Sequence, residues 1–101
     1  MMLKPGLRLK SQVGDTEVVV IKGTGEHELA CGGVALVALG NPVDKGASIA
    51  PDRVGDTLLG KRYTDAGDAV EVLCTKPGPG ALSFDGEALQ VKSAKALPAS
   101  D

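Results

Sequence analysis

"GDAVEVLCTKPGPGALSFDGEALQV", residues 67–91, holds one of only two cysteines in a chain of 101 residues, and its skeleton recurs 54 residues earlier. Sliding the chain on itself at that offset without gaps, Gly6 meets Gly60, Arg8 meets Arg62 and Glu17-Val18 meets Glu71-Val72. Lys22 meets Lys76, Gly32 meets Gly86 and Val37 meets Val91. Self-similarity at a fixed period points to a repeated supersecondary unit. In this register Cys31 falls opposite Asp85 and Cys74 opposite Val20, which argues against a symmetric two-cysteine site.

The elements predicted from residue pattern coincide as well as the letters. "LRLKSQ" (7–12) and "TEVVVIK" (16–22) are β-branched or alternating, "HELA" (27–30) is short, and "VALVAL" (34–39) is apolar. Their counterparts are "KRYTD" (61–65), "AVEVLCT" (69–75), "ALSF" (81–84) and "ALQVK" (88–92). Alternation of this kind reads as half-buried strands. Between them, "GTG" (23–25) and "PGPG" (77–80) are loop chemistry, and Phe84-Asp85-Gly86-Glu87 is a hairpin signal because Asp-Gly suits a type I′ turn.

The expected fold is therefore all-β: a small barrel or two-sheet sandwich of about seven or eight short antiparallel strands, built from a duplicated four-strand unit. The length fits a single domain, 1–101, with repeat halves at about 6–40 and 60–94. The joining loop, 41–59, is rich in Gly, Pro and Asp, with a helical turn expected at Ala50–Val54. It is read first as a crossover, though loops of such length are often functional.

Composition narrows the function classes. A formal charge of −2 and two aromatic residues, Tyr63 and Phe84, supply neither a basic field for a phosphate backbone nor a stacking platform, so nucleic acid is not an expected partner. No run approaches the roughly 20 apolar residues that span a bilayer, which places the expected location in the cytoplasm with no membrane partner. Two cysteines far apart in sequence then read as thiols.

Cys74, inside "VEVLCT", reads as a small core residue. Cys31 precedes Gly32-Gly33, whose exposed N–H groups would favour a thiolate. His27 stands two residues before Leu29 and four before Cys31, on the same strand face. Cys31, Cys74 and His27, with a carboxylate such as Glu26, Glu28 or Asp85, are the candidate metal ligands, with zinc the implied cofactor of that alternative; the paired C-x2-C knuckle of strong zinc sites is absent. The repeated Arg8/Arg62, Glu17/Glu71 and Lys22/Lys76 predict two equivalent cross-strand ion-pair sets on the solvent face.

"GDTEVVVIKG" (14–23) and "GDAVEVL" (67–73) resemble the G-D-x-V-x-V core of SH3-like KOW modules of ribosomal and transcription proteins. The whole chain resembles short uncharacterised bacterial all-β proteins in which "LKSQVxDTEVVVI", "CGG", "LGKRY" and "EVLCTKPGPGAL" follow in the same order. In that group the position matching Gly14 is often cysteine. The resemblance thus implies a three-thiol metal or redox site, from which Gly14 makes this chain depart.

With no convergent acid/base set, the leading expectation is a non-catalytic β-module without cofactor that binds another protein or itself, as a homodimer, through strand edges or the 41–59 loop. The alternative is a small metal-binding or thiol/redox protein using Cys31, Cys74 and His27.

Overall fold

Residues 1–44 and 46–92 are described by the structure, a computed structural model. Lys45 in the joining loop and the end of the second repeat half, 93–94, lie outside the described residues. The first half runs through β1 (Met2–Leu3), β2 (Arg8–Lys10), β3 (Glu17–Lys22), β4 (Gly25–Glu26), β5 (Leu29–Cys31), β6 (Val34–Ala35) and β7 (Val37–Ala38). The second runs through β8 (Asp56–Thr57), β9 (Arg62–Thr64), β10 (Glu71–Lys76), β11 (Gly78–Pro79), β12 (Leu82–Phe84), β13 (Glu87–Ala88) and β14 (Gln90–Val91). The fold is all-β and every pairing is antiparallel. Among the described residues no helix is long and apolar enough to cross a membrane.

A six-stranded sheet has the order β14-β9-β10-β3-β2-β7 and a four-stranded sheet the order β13-β12-β5-β6, with β1-β4 and β11-β8 as two-stranded ribbons. Because different strands end each sheet, none closes on itself, and the barrel alternative is excluded. Alternation dictates the core: Leu9, Val18, Val20, Tyr63, Val72 and Cys74 point inward from the larger sheet onto Leu29, Cys31, Leu82 and Phe84 from the smaller. Full burial of each such Val or Leu contributes roughly 1.5–3 kcal/mol, an upper figure for an extended unfolded chain.

Among the described residues fourteen strands replace the expected seven or eight. The runs "VALVAL" and "ALQVK", each read as one strand, turn a corner, and the ribbons β1–β4 and β8–β11 supply the other additions. At Leu36 the chain leaves the four-stranded sheet for the six-stranded one, its N–H bonding Leu29 O at 2.9 Å while its side chain enters the core. Leu89 does the same, bonding Leu82 O at 3.0 Å. "PGPG" also contains strand rather than loop alone, since Gly78 pairs with Thr57 and Pro79 with Asp56 on a two-stranded ribbon where a missing N–H is tolerated.

The same order of pairings recurs in the two halves. β1–β4, β2–β3, β2–β7 and β5–β6 reappear as β8–β11, β9–β10, β9–β14 and β12–β13. The halves meet along β3–β10, where Val19 faces Leu73, and along β5–β12, where Ala30 faces Ser83. The chain is one residue shorter between Lys76 and Gly78 than between Lys22 and Gly25, so the matching offset falls from 54 to 53 after β3 and β10. The counterpart of Cys31 is thus Phe84, not Asp85, and that of Gly33 is Gly86.

The joining loop is packed down as a crossover. A 3₁₀ turn at Pro51–Arg53 stands where the helical turn was expected. Ala50 N bonds Gly32 O at 2.8 Å, Ala81 N bonds Arg53 O at 2.9 Å, and the Arg53 guanidinium reaches Gly86 O at 2.7 Å.

Candidate functional site

Neither thiol of the proposed metal set reaches solvent. Cys31, the last residue of β5, is fully buried, and its Sγ lies 3.6 Å from Pro79 O beside the hydroxyls of Ser11, Thr16 and Thr57. Burial pushes its pKa above the usual 9.0, with the hydroxyls opposing. Cys74 is equally buried on β10, its thiol 3.1 Å from Lys76 O. Burial raises its pKa as well, a backbone hydrogen bond at Lys76 opposes this, and Cys31 adds to the rise. Thiols held protonated in this way are poor nucleophiles and poor metal ligands.

His27 belongs to the surface. Its Nδ1 lies 2.8 Å from Asp85 Oδ2, and because an ionised carboxylate only accepts, the proton belongs on Nδ1. The ring lies 4.8 Å from that of Phe84, tilted by 39°. Asp85 also accepts from Glu28 N at 2.8 Å, and that bond, followed by the one from His27, holds its carboxyl below the usual range. Among the described residues, no group of three or more His, Cys, Asp or Glu side chains stands where it could hold a metal ion.

The expected equivalence of the ion pairs does not hold. Arg62 lies 3.4 Å from Glu71, which also takes Lys92 at 2.8 Å, whereas Lys22 turns to Asp68 at 3.4 Å. Glu17 of the first half stands 4.0 Å from Lys76 of the second, and Arg8 has no acidic partner among the described residues.

A feature that pattern reading passed over is an apolar tip after the crossover loop. Val54, Leu58 and Leu59 are 67%, 49% and 62% exposed. The backbone of the leucine turn is nevertheless held: Leu58 N bonds the Tyr63 hydroxyl at 2.9 Å, Gly60 N bonds Cys74 O at 2.9 Å, and Lys61 N bonds Leu58 O at 3.3 Å. Gly60, at φ +78°, supplies the left-handed turn residue. Leu58 also lines, with Asp56, Pro77 and Pro79, a shallow, largely apolar groove of about 350 Å³.

The counterpart turn has the same backbone bonds, Gly6 N to Val20 O at 2.7 Å and Leu7 N to Lys4 O at 3.2 Å, but presents Lys4 and Pro5 to water. The sequence carries this signal as Lys4-Pro5-Gly6 against Leu58-Leu59-Gly60, legible only once the halves are superposed beyond their identities. No family model, curated protein or solved structure matches the chain.

Proposed function

We propose that this chain is a non-catalytic β-module that contacts another protein, or a second copy of itself, through the apolar tip formed by Val54, Leu58 and Leu59. The observation that supports this reading is the pair of exposed leucines on a hydrogen-bonded turn whose counterpart is Lys-Pro. Apolar side chains held out on a rigid turn lose little conformational freedom on binding. Clustered exposure of this kind marks interaction surfaces more often than scattered single residues do. The strand edges are weaker docking elements, since β6, β7, β13 and β14 are two residues each and short edges resist pairing.

Replacing Leu59 by a photo-crosslinking amino acid in the source cells should yield a discrete adduct, either to the chain itself or to another protein. The same replacement at Pro5 should yield none. Adding Leu58→Lys to the Leu59 probe should remove the adduct. No adduct from position 59, or equal yield from position 5, would overturn the assignment.

A further inference from the structure

The unequal ion pairs mark a second site, on residues separate from the apolar tip. In the second half, Lys92 Nζ sits 2.8 Å from Glu71 and 3.6 Å from Asp68, while Arg62 closes on the other Glu71 oxygen at 3.4 Å. Every charged group there has a partner. Backbone bonds identify the corresponding places in the first half: Leu39 N bonds Arg8 O at 3.0 Å just as Lys92 N bonds Arg62 O at 2.7 Å. Leu39 thus replaces the lysine, Gly14 replaces Asp68, and Glu17 replaces Glu71.

The consequence is a groove of about 300 Å³ whose walls include Arg8, Glu17, Val19, Leu39, Thr75 and Lys76. Glu17 faces Lys76 at 4.0 Å, which leaves the Arg8 guanidinium as the polar group with no acidic partner among the described residues. Leu39 is exposed beside it. Two cations against one carboxylate give the walls a net charge of +1, counting Arg8 and Lys76 against Glu17.

We infer that this groove binds a carboxylate carried on a short apolar chain. Arg8 takes the carboxylate through its planar fork, Lys76 adds a second positive charge, and Leu39 with Val19 takes the chain. A guanidinium fork matches the two carboxylate oxygens in distance and angle, which a lysine ammonium does not. The volume lies at the small end of ligand sites, and a ligand of about eight non-hydrogen atoms is expected to bind on the order of 0.1–1 mM. The carboxylate could come from a free short-chain acid or from the C-terminus of a peptide, and both present the same chemistry.

Titration of 15N-labelled protein with hexanoate, with N-acetyl-leucyl-valine and with the amide of that dipeptide tests the site. Amide shifts should cluster at Arg8, Val19, Leu39 and Thr75. Arg8→Gln should weaken binding at least tenfold, while Arg62→Gln leaves it within twofold. Leu39→Asp, which removes the apolar wall and sets a carboxylate beside Arg8, should abolish binding with the spectrum otherwise kept. Hexanoate binding alone assigns a free acid, and tighter binding of the dipeptide assigns a chain terminus. Absence of binding by both acids, equal binding of the amide, or insensitivity to Arg8→Gln would overturn the inference.

Discussion

The buried ends of the molecule around Cys31 and around Phe84 occupy matching places in the two halves and are built from opposite chemistry. Cys31 lies among Ser11, Thr16 and Thr57, all buried, and among the described residues Thr16 Oγ1 has no well-formed hydrogen bond beyond its closeness to the Cys31 thiol. The counterparts by chain offset are Asp65, Val70 and Leu3; Val70 and Leu3 share the core with Phe84, and Asp65 caps its turn by accepting from Ala69 N at 2.8 Å and Val70 N at 3.0 Å. One end is tightly filled by small polar groups against glycine backbone, and the other is apolar with a surface cap. One backbone order therefore tolerates two core chemistries, provided volume and hydrogen bonding are satisfied locally.

The comparison breaks first at glycine. A Cβ at Gly78 would stand 2.5 Å from Thr16 Oγ1 and 2.7 Å from Thr16 N, whereas at the counterpart Gly25 the nearest atom is a His27 ring nitrogen at 3.7 Å. Gly78→Ala should therefore lower stability by about 3 kcal/mol or more. Gly25→Ala, strained only by its φ of +94°, should lose about 1–2 kcal/mol. Urea unfolding of the two variants decides it, and equal losses would refute the tight packing assigned to the Cys31 end.

Exchange of the matching pair Thr16 and Val70 sharpens the contrast. Thr16→Val removes an unpaired buried hydroxyl and should stabilise by about 1 kcal/mol, while Val70→Thr buries a new one and should destabilise by about 1–3 kcal/mol. Opposite signs in thermal unfolding are the expected result. A loss at both positions would mean that the Thr16 hydroxyl is satisfied in solution.

The smallest effects are in pH dependence. Asp85 titrates below its ordinary value, so its contribution is complete above the usual carboxylate pKa and is lost as pH falls through the depressed one. Cys31 titrates above 9.0, so the neutral thiol's contribution is complete below that value and is lost as pH rises toward the raised one. Asp85→Asn should flatten the acid limb of the stability curve and Cys31→Ala the alkaline limb. Crossed effects in a pH series of unfolding curves would reverse the assignment.

Much of this was legible beforehand. Val18, Val20, Val72 and Cys74 alternate with more exposed neighbours, and that period of two places them in a core without further information. Cys74 was correctly legible as a core residue for the same reason. The change in matching offset was not legible, because Gly32 and Gly33 are adjacent and either aligns with Gly86 by letter. Nor was the corner at Leu36, since an apolar run reads the same whether it stays in one sheet or crosses between two. The inequality of Arg8 and Arg62 escaped because the group that decides it, Lys92, lies 21 residues beyond Glu71.

Sequence by itself determined the all-β class, the inward faces and the turns, because side-chain period and the backbone demands of Gly and Asp act over a few neighbouring residues. Only the tertiary structure decided that the thiols stay in the core away from His27, that two leucines stand exposed on a rigid turn, and that Arg8 lacks the partner given to Arg62. Those outcomes depend on which distant strands lie side by side, and so on register and sheet exchange summed over the whole chain.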